Sequence, residues 1–119
     1  MDEIFVFGSN LLGRHNGGAA LFALENYGAI YGQGIGIQGN SYAIPTMDEH
    51  FQSLPLNVIK VHVEKFLLFA KEHEEMNFYV TPVGCGIAGF TPEEIAPLFI
   101  GFSNNVRLDN KLLGILEKY

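Results

Sequence analysis

The chain has 119 residues, almost half of them apolar, and carries a formal charge of −6 from seven Lys and Arg against thirteen Asp and Glu. That length suits a single domain spanning 1–119 with a sizeable core. Thinly scattered cations exclude the basic stripe by which proteins grip a nucleic-acid backbone, although backbone N–H groups can bind an anion without any Lys or Arg.

Cysteine occurs once, at Cys85, so no intramolecular disulfide forms and a reducing compartment is expected. The acidic start Met1-Asp2-Glu3 runs straight into an apolar stretch, which predicts no signal peptide. No apolar run approaches the roughly 18 residues of a membrane span. These features predict a cytoplasmic protein without membrane contact and leave its oligomeric state open.

Ile4-Phe5-Val6-Phe7 predicts a strand buried on both faces, closed by Gly8, as in a parallel sheet. A loop rich in Gly and Asn follows, from Gly8 to Gly18. Ala20, Phe22, Ala23, Leu24 and Tyr27 then show helical spacing, stopped at Gly28. The stretch from Gly28 to Gly39 holds five glycines and is expected to be irregular, because ordering so many costs backbone entropy. Tyr42-Ala43-Ile44 reads as a short strand stopped by Pro45. Leu54-Pro55 opens the longest helix, whose Ile59, Val63, Phe66, Leu67 and Ala70 share one face while Lys60, Glu64, Lys71 and Glu72 share the other.

The next strand is Asn77 to Pro82, and a second glycine-rich loop runs from Val83 to Phe90. Thr91-Pro92-Glu93-Glu94 has the pattern of a capping box, with Pro97 set to shorten the helix it begins. Val106 to Leu108 predicts an edge strand, and Lys111 to Glu117 a last short helix. Strands alternating with helices indicate a three-layer α/β/α sandwich around a mostly parallel sheet.

Ligands of such sheets bind beyond the carboxyl ends of the strands, where both glycine-rich loops are expected. Glycine lets backbone N–H groups converge on phosphate oxygens, and the second loop leads into a helix N-terminus that favours negative charge. Neither loop has the Gly-Lys-Ser/Thr of a phosphate-binding P-loop. Gly32-x-Gly34-x-Gly36 lacks the strand before and the helix after that a dinucleotide fingerprint needs.

The run Phe5-Val6-Phe7-Gly8-Ser9-Asn10-Leu11-Leu12-Gly13, continuing to Gly17-Gly18-Ala19-Ala20, resembles the first ligand loop of macrodomains. Tyr79 to Phe90 resembles their second loop, of the form P-x-G-x-G-x-x-G-[YF]. Between them, Gly34-Ile35-Gly36 through Ile44 sits where macrodomains have a glycine-bearing turn and a strand. The resemblance covers nearly the whole chain and is nearest to the small stand-alone macrodomain-like proteins of bacteria and phages, and to the branch of the terminal ADP-ribose glycohydrolases. It implies binding of ADP-ribose or a derivative. The segments Gly8-Ser9-Asn10 and Gly17-Gly18 would supply the first loop's contacts, with Asn10 orienting the distal ribose. The pyrophosphate would lie on the backbone of Gly84, Cys85, Gly86, Ile87, Ala88 and Gly89, and Phe90 would pack on the distal ribose. Family members with an adenine-contacting Asp carry it ahead of the first motif, where only Met1, Asp2 and Glu3 stand here, and Asp2 is too close to the strand to take that part. The catalytic Asp of the glycohydrolase branch is replaced by Ala88, and that of a second hydrolase branch by Gly17.

With both carboxylates absent, His15 in the first loop is the foremost candidate acid, base or nucleophile. Asp48 is a second candidate, and Thr46 a lining residue, because both follow the strand ending at Pro45. His15 reads equally well as an exposed loop histidine, and Thr46 and Asp48 read more simply as turn residues. Cys85 has no base paired with it by motif. His62 and His73 are assigned no role, no metal-ligand spacing is present, and no cofactor is expected. Two functions stay open: an ADP-ribose 1″-phosphate phosphatase or related hydrolase, and a non-catalytic module that sequesters an ADP-ribose-like or other nucleotide.

Overall fold

The computed structural model describes residues 3–118. In strand β1 (Ile4–Asn10) the side chains alternate, Ile4 and Val6 entering one core and Phe5 and Phe7 the other. The apolar run is continuous because helices cover both faces of this central strand. β1 runs two residues past the predicted stop at Gly8, because it pairs in parallel with strand β3 (Ser41–Met47) as far as Asn10. Pro45 does not end β3. It lies beside a register shift between Ser9 and Asn10, and beyond the three residues that the short antiparallel strand β2 (Gly36–Gln38) covers. There a missing N–H costs the ladder little.

Strand β4 (Phe78–Val80) pairs in parallel with the other side of β1, and strand β5 (Val106–Leu108) with β4, giving the order β2-β3-β1-β4-β5. Four of the five strands are therefore parallel, with β2 joined to β3 as a hairpin.

The faces are covered unequally. Among the described residues helix α1 (Gly18–Asn26) alone lies on one face, where its small Ala20 and Ala23 let it approach Phe5, Phe7 and Ala43 closely. Helix α2 (Leu56–Glu72) lies on the other face and buries Ile59, Val63, Phe66 and Ala70 along the predicted stripe. Pro55 is the residue before its first turn rather than within it. Helix α3 (Pro92–Ile95) begins with the predicted capping box: the Glu94 N–H donates to the Thr91 hydroxyl, and the Thr91 N–H donates to the Glu94 carboxylate. Pro97 cannot donate to the preceding turn, and the chain continues as a 3₁₀ turn over Ala96–Phe99. Helix α4 (Asn110–Leu116) completes this layer with Leu112 buried. No helix among the described residues is long and apolar enough to cross a membrane.

Candidate anion-binding cleft

Because β1, β3, β4 and β5 are parallel, the segments that follow them gather at one edge of the sheet, and a cleft of about 790 Å³ opens there. Its size falls in the ordinary range for a small-molecule site. Each of the four strands, or the segment that follows it, contributes to its wall: Arg14, Asn16 and Gly17 after β1, Met47 at the end of β3 and Phe51 after it, Thr81 to Ala88 after β4, and Lys111 in α4 after β5.

Two sets of backbone donors belong to residues that line this space. In the loop after β4, the Cys85, Gly89 and Phe90 N–H groups donate to the carbonyls of Pro82, Gly86 and Gly84. Those bonds fold the loop on itself and leave Gly86, Ile87 and Ala88 as three consecutive N–H groups with no acceptor among the described residues. A Cβ at Gly86 would meet nothing within 4 Å, so this part of the loop stands open to the cleft. Opposite it, α1 starts at Gly17 with no side-chain cap and no acidic residue in its first turn. Its first N–H groups, at Gly18, Ala19 and Ala20, are the orphan donors of a helix N-terminus, whose dipole adds roughly half a positive charge. Consecutive free N–H groups beside an uncapped helix end form an anion cradle.

Of the residues expected to bind ligand, Gly8, Ser9, Asn10, Gly17, Gly18, Thr46, Gly84, Cys85, Gly86, Ile87 and Ala88 line the cleft. Several spend their polar atoms on the fold. The Ser9 hydroxyl donates to the Gly34 carbonyl, and the Thr46 hydroxyl to the Ser9 carbonyl. The Asn10 amide donates to the Arg14 carbonyl and accepts the Arg14 N–H, both at 3.0 Å, so it closes the 10–14 turn and keeps one N–H and one lone pair for a ligand. Gly89 and Phe90 are displaced from the wall: the Phe90 ring packs beneath the loop, against Gly84 and the core.

Both candidate catalytic side chains fall outside the lining. His15 is fully buried, with its ring edge-on to Phe7 at 5.1 Å and its Nε2 3.2 Å from the Gln38 Oε1. The first loop folds this imidazole under the sheet face that α1 covers, away from the cleft. Asp48 turns its carboxylate onto its own loop, where it accepts the His50 and Gln52 N–H groups. Those bonds hold its pKa below the usual carboxylate range and leave it a weak base. Cys85 does line the cleft, but burial raises its thiol pKa in spite of the nearby Lys111. The thiol form therefore dominates at neutral pH. No cluster of three or more His, Cys, Asp or Glu poised for a metal occurs among the described residues. The contact considered for Asp2 lies outside the described residues.

The structure adds Arg14, Lys111 and Phe51 to the wall. The position of Lys111 was implicit in the order of elements, since it follows a parallel strand as the glycine-rich loops do. Phe51 carries no sequence signal. It adopts φ 60°, the one positive φ at a non-glycine among the described residues, a conformation that costs about 1–2 kcal/mol.

No protein-family model matches the chain, and neither the curated proteins nor the solved structures include a significant match.

Proposed function

We propose that this protein binds ADP-ribose or a closely related nucleotide in the cleft and holds it without hydrolysing it. The observation that carries the reading is the run of three free N–H groups at Gly86, Ile87 and Ala88, which line the same cleft as the uncapped start of α1. A diphosphate bridging the two would satisfy donors that are otherwise left to water. Arg14 and Lys111 flank it, and the spare polarity of Asn10 suits a ribose hydroxyl. The resemblance of both loops to macrodomain loops supports ADP-ribose as the form of the diphosphate.

Retention rather than hydrolysis follows from the titratable side chains in the wall, which are Arg14, Lys111 and Cys85. Two are cations and the third is a protonated thiol, so the described lining offers no carboxylate or imidazole to activate water. The expected setting is the cytoplasm, where a single thiol stays reduced.

Titration calorimetry of ADP-ribose against the wild type and Gly86→Val tests the site. Open space at Gly86 lets the variant fold, while the branched side chain blocks approach to the cradle. Affinity should fall by about tenfold or more, equivalent to roughly 1.4 kcal/mol. Unchanged affinity in a folded variant removes the loop from the site. Phosphate release from ADP-ribose 1″-phosphate by the wild type would overturn the non-hydrolytic part.

A further inference from the structure

Phe51 occupies the last position of a tight turn begun by Asp48. The Phe51 N–H donates to the Asp48 carbonyl, and the Asp48 N–H donates to the Gln52 carbonyl. A left-handed residue at the end of such a turn is ordinarily Gly or Asn, which adopt that conformation at little cost. Phenylalanine gains no core packing there: its side chain belongs to neither core cluster, has no aromatic neighbour among the described residues and is 46 % exposed. It lines the cleft instead.

The turn is fastened to the anion cradle. Met47 and Ser53 form an antiparallel bridge, and the Ser53 hydroxyl donates to the Ala88 carbonyl at 2.6 Å. Phe51 is two residues from Ser53, so their Cα atoms are within about 7 Å of one another. A strained backbone, an exposed ring and a direct tie to the phosphate-binding loop are thus combined in one short segment.

We propose that Phe51 is a stacking platform for the nucleobase of the bound nucleotide, an assignment that rests on the anion-binding reading above. The phosphate sits on the 86–88 backbone, and the base lies on the Phe51 ring at the β3 end of the cleft. Every nucleobase has a π-face, so the platform demands a base without selecting which one.

AMP and ribose 5-phosphate share phosphate and sugar and differ by the base, which makes them the probes. By calorimetry the wild type should bind AMP about 5- to 150-fold more tightly than ribose 5-phosphate, the range of one base–aromatic stack. Phe51→Gly and Phe51→Asn both accept the turn's backbone, so they should melt no lower than the wild type. In both, the AMP preference should collapse towards unity while ribose 5-phosphate affinity stays unchanged, and Phe51→Tyr should keep the preference. A preference that survives Phe51→Gly, or a wild type that binds the two compounds equally, overturns the platform alone. If the wild type binds neither compound nor ADP-ribose, the anion site fails and the platform with it.

Discussion

Imidazole in a glycine-rich loop has two very different fates, and at His15 the choice is made by what lies beneath the loop. The Gln38 Oε1 can only accept, so the His15 Nε2 carries the proton between them, and Nδ1 has no partner among the described residues. The same Gln38 oxygen accepts the Ile30 N–H, and the Gln38 amide donates to the Gln33 and Gly36 carbonyls. His15 is therefore one strut of a buried polar network that pins the glycine-rich segment preceding β2. Removing its ring leaves a cavity against Phe7, and His15→Ala should destabilise the fold by roughly 2–4 kcal/mol. ADP-ribose affinity of the folded variant should stay within about twofold, a few tenths of a kcal/mol. Denaturant unfolding and calorimetry measure the two quantities, and intact stability with lost binding would return His15 to the site. The sequence places this histidine near the cleft in chain order. Its burial depends on the first loop turning under the sheet, which no periodicity encodes.

Between β4, β5 and α4, a chain of polar contacts fixes the start of the helix that carries Lys111. The Tyr79 hydroxyl donates to the Asp109 carboxylate, which also accepts the Lys111 N–H, and the Arg107 guanidinium lies 4.3 Å over the Tyr79 ring. Burial and the Asp109 partner push the Tyr79 pKa from 10 up to about 12. A folded-state pKa above the unfolded value stabilises the fold fully below pH about 10, and this contribution is lost as pH rises towards about 12. Wild-type unfolding free energy should therefore decline across that window, and Tyr79→Phe should flatten the decline. A smaller slope should remain from Tyr42, whose pKa burial also raises. Parallel pH profiles in denaturant titrations would rule out the Tyr79 linkage. At this scale α2, the Thr91 capping box and the break at Pro97 were legible, because their signals lie within a few residues of the structure they create. The strand extensions through Gly8-Ser9 and Pro45, and all of β2, were not. Glycine and proline read locally as breakers, and these segments become strand by pairing with one another across the sheet.

For the whole molecule, the acidic charge and the proposed anionic ligand pull against each other over different distances. The protein carries −6 and measures 34 × 31 × 21 Å, yet two of its seven cations, Arg14 and Lys111, converge on the cleft. Their convergence could not be read from the sequence, where 96 residues separate them and nothing marks them as a pair. At about 0.01 M ionic strength the Debye length is about 30 Å, so an approaching diphosphate senses the repulsion of the entire molecule. At about 0.15 M it shrinks to about 8 Å, and the local field of the cradle and its two cations dominates. Salt therefore removes more repulsion than attraction. The association rate constant for ADP-ribose, followed by stopped flow, should hold steady or rise between those two conditions. A site built on a basic surface behaves the opposite way, because salt screens its steering. Lys111→Gln deletes an attractive charge close to the ligand and adds to the net negative charge, so it should slow association at both ionic strengths and by the larger factor at the lower one, where that charge is least screened. A wild-type rate that falls steeply with salt would mean that the local cations outweigh the net charge even at long range, and this balance would be wrong.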